Sequence, residues 1–179
     1  MIIRWLSLFA FSVFGVLLTG VVWADPILYV GHANDNPGIS AWELGYKQHG
    51  DPDWVKNLSP NLHGFWEAKF HYWQREKDNV LGLALLPGLE YQWHQTAIGS
   101  PYAQLAFGVA VINDRKIGFR DMSTNWQFET MAGFGTRFGE RDRYDLNLSF
   151  VHLSNADINE PNFGIDLLTL SFGADFDSF

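Results

Sequence analysis

A histidine, a serine and an acidic residue occur near the end of the 179-residue chain, at positions His152, Ser154 and Asp166. Residues i and i+2 of a β-strand lie about 6.5 Å apart on one face, so His152 and Ser154 are close enough to form a hydrogen bond. An acid on the neighbouring strand can bond the other imidazole nitrogen. This set supplies a nucleophile, a general base and a carboxylate that orients the base. The same spacing also arises by chance, so the prediction of a catalytic triad depends on the secondary structure that positions these residues.

The N-terminal residues 1–24 have the pattern of a secretory signal peptide. Arg4 provides the positive charge, and an uncharged apolar run follows it. Val22 and Ala24 are small residues at positions −3 and −1 of a cleavage site. An uncleaved membrane anchor is the alternative, because about 18 apolar residues are long enough to span a bilayer. We expect an exported mature chain of residues 25–179.

The composition excludes several classes of protein. The chain has 12 Lys and Arg against 20 Asp and Glu, a formal net charge of −8, whereas a nucleic-acid-binding protein needs a basic surface. It has no cysteine, which excludes disulfides, thiol catalysis and cysteine-ligated metal sites. The 17 glycines and 16% aromatic residues, with only 18% charged residues, are typical of a protein with many β-strands. We therefore expect an all-β fold and no nucleic-acid partner.

Eight segments of the mature chain alternate apolar and polar residues with a period of two, as β-strands do. They cover residues 27–34, 38–48, 62–74, 80–94, 101–113, 124–138, 143–154 and 164–177. Most reach the length of about 9–11 residues that a tilted membrane strand needs. Without a spanning helix, an exported chain satisfies its backbone in lipid only as a closed barrel. The sequence therefore predicts one domain, an eight-stranded antiparallel transmembrane β-barrel of the outer-membrane type.

The two faces of these strands differ in a way that indicates which face contacts lipid. One face of 124–138 consists of Trp126, Phe128, Thr130, Ala132, Phe134, Thr136 and Phe138. Long apolar faces with aromatic residues near the strand ends are typical of lipid-facing girdles. The opposite faces mix glycines with both charge signs, which suits the filled interior of a small barrel. The chain also ends in the aromatic Phe179, as outer-membrane proteins commonly do. A soluble periplasmic barrel that binds an apolar ligand is the alternative.

This orientation puts the three reactive residues on the outer wall of the barrel. His152 and Ser154 share a strand face with Phe150, and Asp166 shares one with Leu168. With both termini in the periplasm, the connection 155–163 faces the cell exterior. An ionisable residue on the lipid face costs about 2–4 kcal/mol at mid-bilayer and therefore indicates function. We expect the three side chains near the extracellular rim.

Other polar residues have simpler explanations. Most acidic and basic residues of the strands alternate onto the inner face and are expected to form a polar network there, rather than an acid–base pair: Glu43, Glu67, Glu90, Glu129, Lys47, Lys69 and Arg137. The histidines show no metal-ligand spacing. Asp157, Asn159 and Glu160 fit a solvated loop better than a Ca²⁺ site. We expect no metal and no organic cofactor.

The last predicted hairpin contains an ordered motif of fifteen residues, His-x-Ser-Asn-Ala-x-Ile-x-x-Pro-Asn-x-Gly-Ile-Asp, at positions 152–166. It resembles the signature of the lipid A deacylase PagL family, and the rest of the chain agrees in length, leader and strand pattern. The resemblance implies an eight-stranded barrel of the bacterial outer membrane. It also implies an esterase that removes the acyl chain at position 3 of lipid A, with lipopolysaccharide as the substrate.

The resemblance also implies roles for single residues. His152 falls on the family's catalytic histidine, and Ser154 falls on its nucleophilic serine. Asp166 falls on the acidic member of the triad, where a known member of the family has Glu, which is one methylene longer. Asn162 matches an asparagine near the oxyanion, with turn formation as its alternative role, and Asn155 matches one that shapes the loop. A non-catalytic barrel with a structural or adhesive role is the alternative function, and the sequence leaves homodimer formation open.

Overall fold

The structure is a computed structural model that describes residues 23–35 and 38–175. Its strands are β1 (Trp23–Asp35), β2 (Ile39–Gly50), β3 (Leu62–Arg75), β4 (Asp78–Gln92), β5 (Ser100–Ile112), β6 (Lys116–Ile117), β7 (Arg120–Asp121), β8 (Trp126–Phe138), β9 (Tyr144–Ser154) and β10 (Ile165–Asp175). The predicted signal peptide, apart from its last two residues, and the terminal Phe179 lie outside the described residues.

Eight long strands form one closed antiparallel barrel in the order β1-β10-β9-β8-β5-β4-β3-β2. Every strand pairs with its neighbour along the chain, and β1 pairs with β10 to close the sheet. Closure leaves no unpaired edge, as a strand in lipid requires. The predicted eight-stranded barrel is therefore confirmed, and the strand limits differ from the predicted ones by only a few residues at each end.

Two connections contain elements that the sequence did not predict. A six-residue helix, α1 (Asp53–Leu58), lies between β2 and β3, with Val55 buried. Residues 113–125 between β5 and β8 include the two-stranded hairpin β6–β7. Within the described part of the chain, no helix is long and apolar enough to cross a membrane. These elements are too short to show a periodic sequence pattern.

The barrel interior is a buried network of charged and polar side chains. Lys69 Nζ donates to Glu129 Oε1 at 2.9 Å, and His71 Nε2 lies 3.0 Å from Glu129 Oε2. Arg137 Nη2 donates to Glu90 Oε1 at 2.6 Å. Because buried charges are costly without partners, these ion pairs allow the charged face to point inward.

Large interior rings fill the remaining space by lying over glycines of the adjacent strand. A Cβ at Gly135 would lie 2.4 Å from the Tyr102 ring, and one at Gly45 would overlap the ring of Tyr29. The Tyr102 hydroxyl donates to Asp145 Oδ1 at 2.8 Å, and the Tyr29 hydroxyl donates to Glu67 Oε1 at 2.5 Å. The interior glycines are therefore required by packing, and the lumen is filled.

The outer wall carries the apolar residues, as predicted. Leu83, Leu105 and Phe134 are 64%, 66% and 70% exposed, and each lies on a strand whose inward neighbours are buried. A soluble barrel would have its apolar face inside and its charges outside. The observed arrangement is the reverse, which agrees with a wall in contact with lipid.

The mouth of the barrel, which is the end that carries the connections 113–125 and 155–164, is closed by apolar side chains. Ile117 and Met122 of the connection 113–125 are fully buried. They belong to one core cluster with Val151 and Leu153 of β9 and with Ile165 of β10. This cluster fixes the connection 113–125 against the inner side of the last hairpin, directly behind His152 and Ser154.

The interior network predicts a large difference between two lysine substitutions. Lys69→Met removes the ammonium that contacts Glu129 in a site where the lysine side chain is 1% exposed. We expect the free energy of unfolding to fall by about 3–5 kcal/mol, because the substitution removes the ammonium from a buried carboxylate, which is left with its contact to His71. Urea unfolding of the barrel in detergent micelles, followed by tryptophan fluorescence, measures this change.

Lys116→Met is the matched control, because Lys116 contacts Asp121 at 3.0 Å but is 59% exposed. We expect almost no change in the unfolding midpoint, because water and salt screen an exposed ion pair. Equal midpoints for the two variants would contradict a stabilising interior network.

Candidate active site

The paired ends of β9 and β10 bring the three predicted residues together. His152 lies directly opposite Asp166 in the register of the two strands, and Ser154 is the last residue of β9. All three lie on the outward face, and the side chains of His152 and Asp166 are 44% and 57% exposed. The site is therefore on the outer wall of the barrel, at the end of an apolar stripe.

A continuous hydrogen-bond chain joins the three side chains. His152 Nε2 lies 3.1 Å from Ser154 Oγ, and His152 Nδ1 lies 2.6 Å from Asp166 Oδ1. A carboxylate only accepts hydrogen bonds, so Nδ1 carries the proton and Nε2 is the acceptor for the serine hydroxyl. Asp166, although shorter than Glu, reaches the imidazole because it lies opposite His152 on the adjacent strand. The arrangement can deprotonate a serine and hold the resulting imidazolium.

The two asparagines lie in the connection after β9, where they hold the loop together. Asn155 is buried, and its Nδ2 donates to the carbonyls of Met122 at 2.8 Å and Asn159 at 2.9 Å. The Asn155 backbone N–H donates to Asn162 Oδ1 at 3.2 Å, and Asn162 Nδ2 donates to Asp157 Oδ1 at 2.9 Å. A side-chain amide has two N–H donors, so the bond to Asp157 occupies one donor of Asn162.

Gly164 brings the backbone against the face of the hairpin that carries His152. Its φ is +56°, in the left-handed region that glycine adopts without steric cost. A Cβ at this position would lie 3.0 Å from the Leu153 carbonyl oxygen and 3.4 Å from His152 Cε1. The glycine therefore forms a close-fitting support beside the imidazole. Gly164 belongs to the sequence motif, but the motif does not reveal its role, because the contact exists only in the folded hairpin.

The connection 113–125 also contacts this hairpin, and no pattern in the sequence predicts these contacts. Arg120 Nη1 donates to the Gly164 carbonyl at 2.8 Å, and the Phe163 backbone N–H donates to the Asp121 carbonyl at 3.4 Å. The Lys116 ammonium and the Ser123 backbone N–H both donate to the Asp121 side chain, and they hold the pKa of that carboxyl below its usual range. The hairpin β6–β7 is therefore a fixed part of the site's surroundings.

Apolar side chains surround the three polar ones on the outer wall. Phe128 of β8 lies opposite Ser154 and stacks on Phe107, with 5.8 Å between ring centroids. Toward the middle of the barrel, Phe150 and Leu168 are about half exposed. The described residues contain no cluster of three or more His, Asp or Glu side chains that could hold a metal ion.

Residues 40–175 match the model of the family described as lipid A 3-O-deacylase (PagL). The chain belongs to this family. The lipid A deacylase PagL of Pseudomonas aeruginosa is 26% identical to it over 151 residues, which are 83% of this chain and 84% of that protein.

Solved structures agree with the family assignment. The crystal structure of the outer membrane enzyme PagL matches with a TM-score of 0.70 and 25% identity, over 84% of this chain and 99% of that one. A designed transmembrane β-barrel matches with a TM-score of 0.54 at 11% identity, over 84% of this chain and 93% of that one, and shows the fold alone. The predicted PagL-family membership, the outer-membrane barrel and the expectation of an enzyme are confirmed.

The close approach of Gly164 predicts a strong effect of adding one methyl group. We expect Gly164→Ala to lower the rate of lipid A deacylation by up to about a hundredfold, because the Cβ displaces the imidazole or the strand end that supports it. The measurement is the initial rate on purified lipid A, with protein amounts matched by the fraction that migrates as a folded barrel in an unheated gel.

Gly38→Ala is the control for backbone strain alone. Gly38 also has a left-handed φ, +97°, but a Cβ there would have no neighbour within 4 Å among the residues that the structure describes. We expect this variant to keep nearly the full rate. An unchanged rate in Gly164→Ala would show that the imidazole does not depend on this contact.

Proposed function

We propose that this chain hydrolyses the 3-O-linked acyl ester of lipid A with Ser154 as nucleophile, His152 as general base and Asp166 as the carboxylate that orients the base. The observation that carries the proposal is the hydrogen-bond chain from Ser154 Oγ through His152 to Asp166, with distances of 3.1 Å and 2.6 Å. Membership of the lipid A 3-O-deacylase family supplies the substrate and the bond that is cleaved.

In the first half of the reaction, Ser154 Oγ attacks the carbonyl carbon of the ester. The serine proton moves to His152 Nε2, and the carbonyl π electrons move onto the oxygen. Asp166 stabilises the imidazolium through its bond to Nδ1. Collapse of the tetrahedral intermediate breaks the bond to the sugar oxygen, which takes the proton from His152. The first product is a sugar hydroxyl, and the acyl group is left on Ser154.

In the second half, a water molecule is the nucleophile and Ser154 is the leaving group. His152 Nε2 removes a proton from water as the water oxygen attacks the acyl carbon. The second tetrahedral intermediate releases Ser154, which recovers its proton from the imidazolium. The net change is one ester and one water converted to a fatty acid and an alcohol.

We infer that Asn162 donates to the oxyanion with its second amide hydrogen. The bonds of Asn162 to Asp157 and to the Asn155 backbone N–H keep this amide from rotating. A preorganised donor of this kind is worth about 3–4 kcal/mol in comparable hydrolases. Turn formation and oxyanion binding are compatible, because they use different atoms of the same side chain.

The lipid-facing position of the site suits a substrate that is itself a membrane lipid. The three side chains are at the strand ends, where an apolar wall meets polar loops. The esters of a lipid with a sugar headgroup lie at the same boundary between acyl chains and polar groups. The substrate therefore reaches Ser154 without leaving the bilayer.

The proposed triad predicts that Ser154→Ala leaves lipid A intact. Removal of a triad serine lowers kcat by about 10⁶ in a comparable hydrolase, so no product is expected in a normal assay. Asp166→Asn is expected to lower the rate by about 10⁴, because the imidazole then takes the wrong tautomer. Asp166→Glu keeps the carboxylate and is expected to retain most of the activity. Mass spectrometry of lipid A, which detects the loss of one hydroxyacyl group, measures all three.

Ser40→Ala is the matched control, because Ser40 lies near the same end of the barrel on β2, away from His152. It should deacylate lipid A as the wild type does. Deacylation by Ser154→Ala at the wild-type rate would refute Ser154 as the nucleophile.

We also infer that residues 1–24 are a signal peptide, which the apolar run after Arg4 and the small residues Val22 and Ala24 support. The protein purified from outer membranes is then expected to begin at Asp25, and its intact mass measures this. A mass that includes residues 1–24 would indicate an uncleaved anchor instead.

A further inference from the structure

The connection 113–125 bonds the hairpin that contains His152 and Ser154 at three points. Arg120 donates to the Gly164 carbonyl, the Asp121 carbonyl accepts from the Phe163 backbone N–H, and the Met122 carbonyl accepts from the Asn155 side chain. The three partners are consecutive in the chain: Arg120 and Asp121 form β7, and Met122 follows it. Both sides of the loop after β9 are therefore attached to it.

We propose that Arg120 is a positioning residue for the imidazole of His152 and acts through the backbone of Gly164. This inference rests on the proposed function of His152 and Ser154. The contact by which Arg120 reaches the site is its hydrogen bond to the Gly164 carbonyl. It holds the peptide that lies beside the imidazole ring and directly precedes the strand of Asp166.

The geometry of the contact explains why an arginine is suited to this place. Nη1 lies 2.8 Å from the Gly164 carbonyl oxygen and 3.5 Å from that of Phe163, so one guanidinium end lies within reach of two consecutive carbonyls. The Arg120 guanidinium carbon also lies 5.6 Å from the centre of the Phe119 ring. A planar group with several fixed donors orients a backbone segment better than a flexible ammonium does.

The segment that carries Arg120 is packed against the barrel. Ile117 and Met122, on the two sides of Arg120, are fully buried in the mouth of the barrel. The Gly118 backbone N–H donates to Asp78 Oδ2 at 2.7 Å, which ties the same segment to β4. The segment that bonds the Gly164 carbonyl is therefore anchored to the barrel.

The contact continues from Gly164 to the imidazole. The position of a Cβ at Gly164 is 3.4 Å from His152 Cε1, so the backbone there limits the tilt of the ring. Asp166 follows two residues later and orients Nδ1 from the opposite strand. If the Gly164 carbonyl is released, both the support beside the ring and the start of β10 become free to shift.

The test is a comparison of steady-state kinetics for Arg120→Met and the wild type on lipid A in mixed micelles. We expect kcat to fall by about tenfold to a hundredfold, because a small misplacement of the base is costly in the transition state. KM is expected to stay within about twofold, since ground-state binding does not use the imidazole. A direct contact between Arg120 and an anionic group of the substrate would instead raise KM and leave kcat unchanged, and that result would overturn the proposal.

Arg115→Met is the matched control. Arg115 lies in the same connection, but its Nη1 donates to the Ser123 carbonyl of its own turn at 3.4 Å. We expect wild-type kcat and KM for this variant. An equal loss of kcat in both variants would show that any disruption of the connection 113–125 lowers kcat, and it would overturn the specific role of Arg120.

Chemical rescue separates positioning from simple loss of stability. Added guanidinium ion is expected to restore part of the kcat of Arg120→Ala, and to restore nothing in Ser154→Ala. Arg120→Lys is expected to have an intermediate kcat, and it provides the test if Arg120→Met does not fold. A wild-type kcat in Arg120→Lys together with no rescue of Arg120→Ala would refute the proposal.

The two proposals fail in different ways. An active Ser154→Ala variant would refute the proposed nucleophile and, with it, the positioning role. An inactive Ser154→Ala variant combined with a wild-type Arg120→Met variant would refute only the role of Arg120.

Discussion

The structure depends on the register between β9 and β10. Every backbone polar group that faces lipid needs a partner within the sheet, so the strands pair continuously and the barrel closes. Side chains alternate with a period of two, and a shift of one residue would move a whole face from lipid to lumen. The observed register puts Asp166 opposite His152, while the buried Leu167 and Val151 point into the barrel. The same pairing therefore stabilises the wall and assembles the polar trio on it.

The interior makes this register rigid. The ion pairs around Glu129 and Glu90 cross between distant strands, and the Tyr102 hydroxyl links β5 to Asp145 of β9. The apolar cluster at the mouth lies directly behind the strand ends that bear the outward polar residues. A filled lumen thus restricts movement of the strands, and side chains on rigid strands keep a fixed geometry.

Features with a local or periodic signal were predictable from the sequence. The eight strands were found because long segments alternate over most of their length, and His152 and Ser154 are only two residues apart on one of them. The placement of Asp166 followed from pairing two consecutive strands. The helix α1 and the hairpin β6–β7 were missed, because elements of two to six residues have no detectable period.

Contacts between loops could not be predicted at all. Arg120 and Gly164 are 44 residues apart, and their bond depends on how two separate turns pack at the mouth. The loop after β9 also has Ala156 and Asp157 at positive φ, a conformation that aspartate adopts more often than other residues do but alanine rarely adopts. The bond between Asn162 and Asp157 depends on this turn. The sequence motif contained these residues but not the contacts that give them their geometry.

The outward position of the proposed site determines how its ligands would arrive and leave. A cleft in a soluble enzyme exchanges molecules with bulk water, whereas this surface exchanges them with a two-dimensional fluid. Encounters then follow lateral diffusion, and the relevant concentration is the number of glycolipid molecules per unit area of leaflet. Under the proposed function, a freed acyl chain stays dissolved among its neighbours after cleavage, so its release requires no exit tunnel.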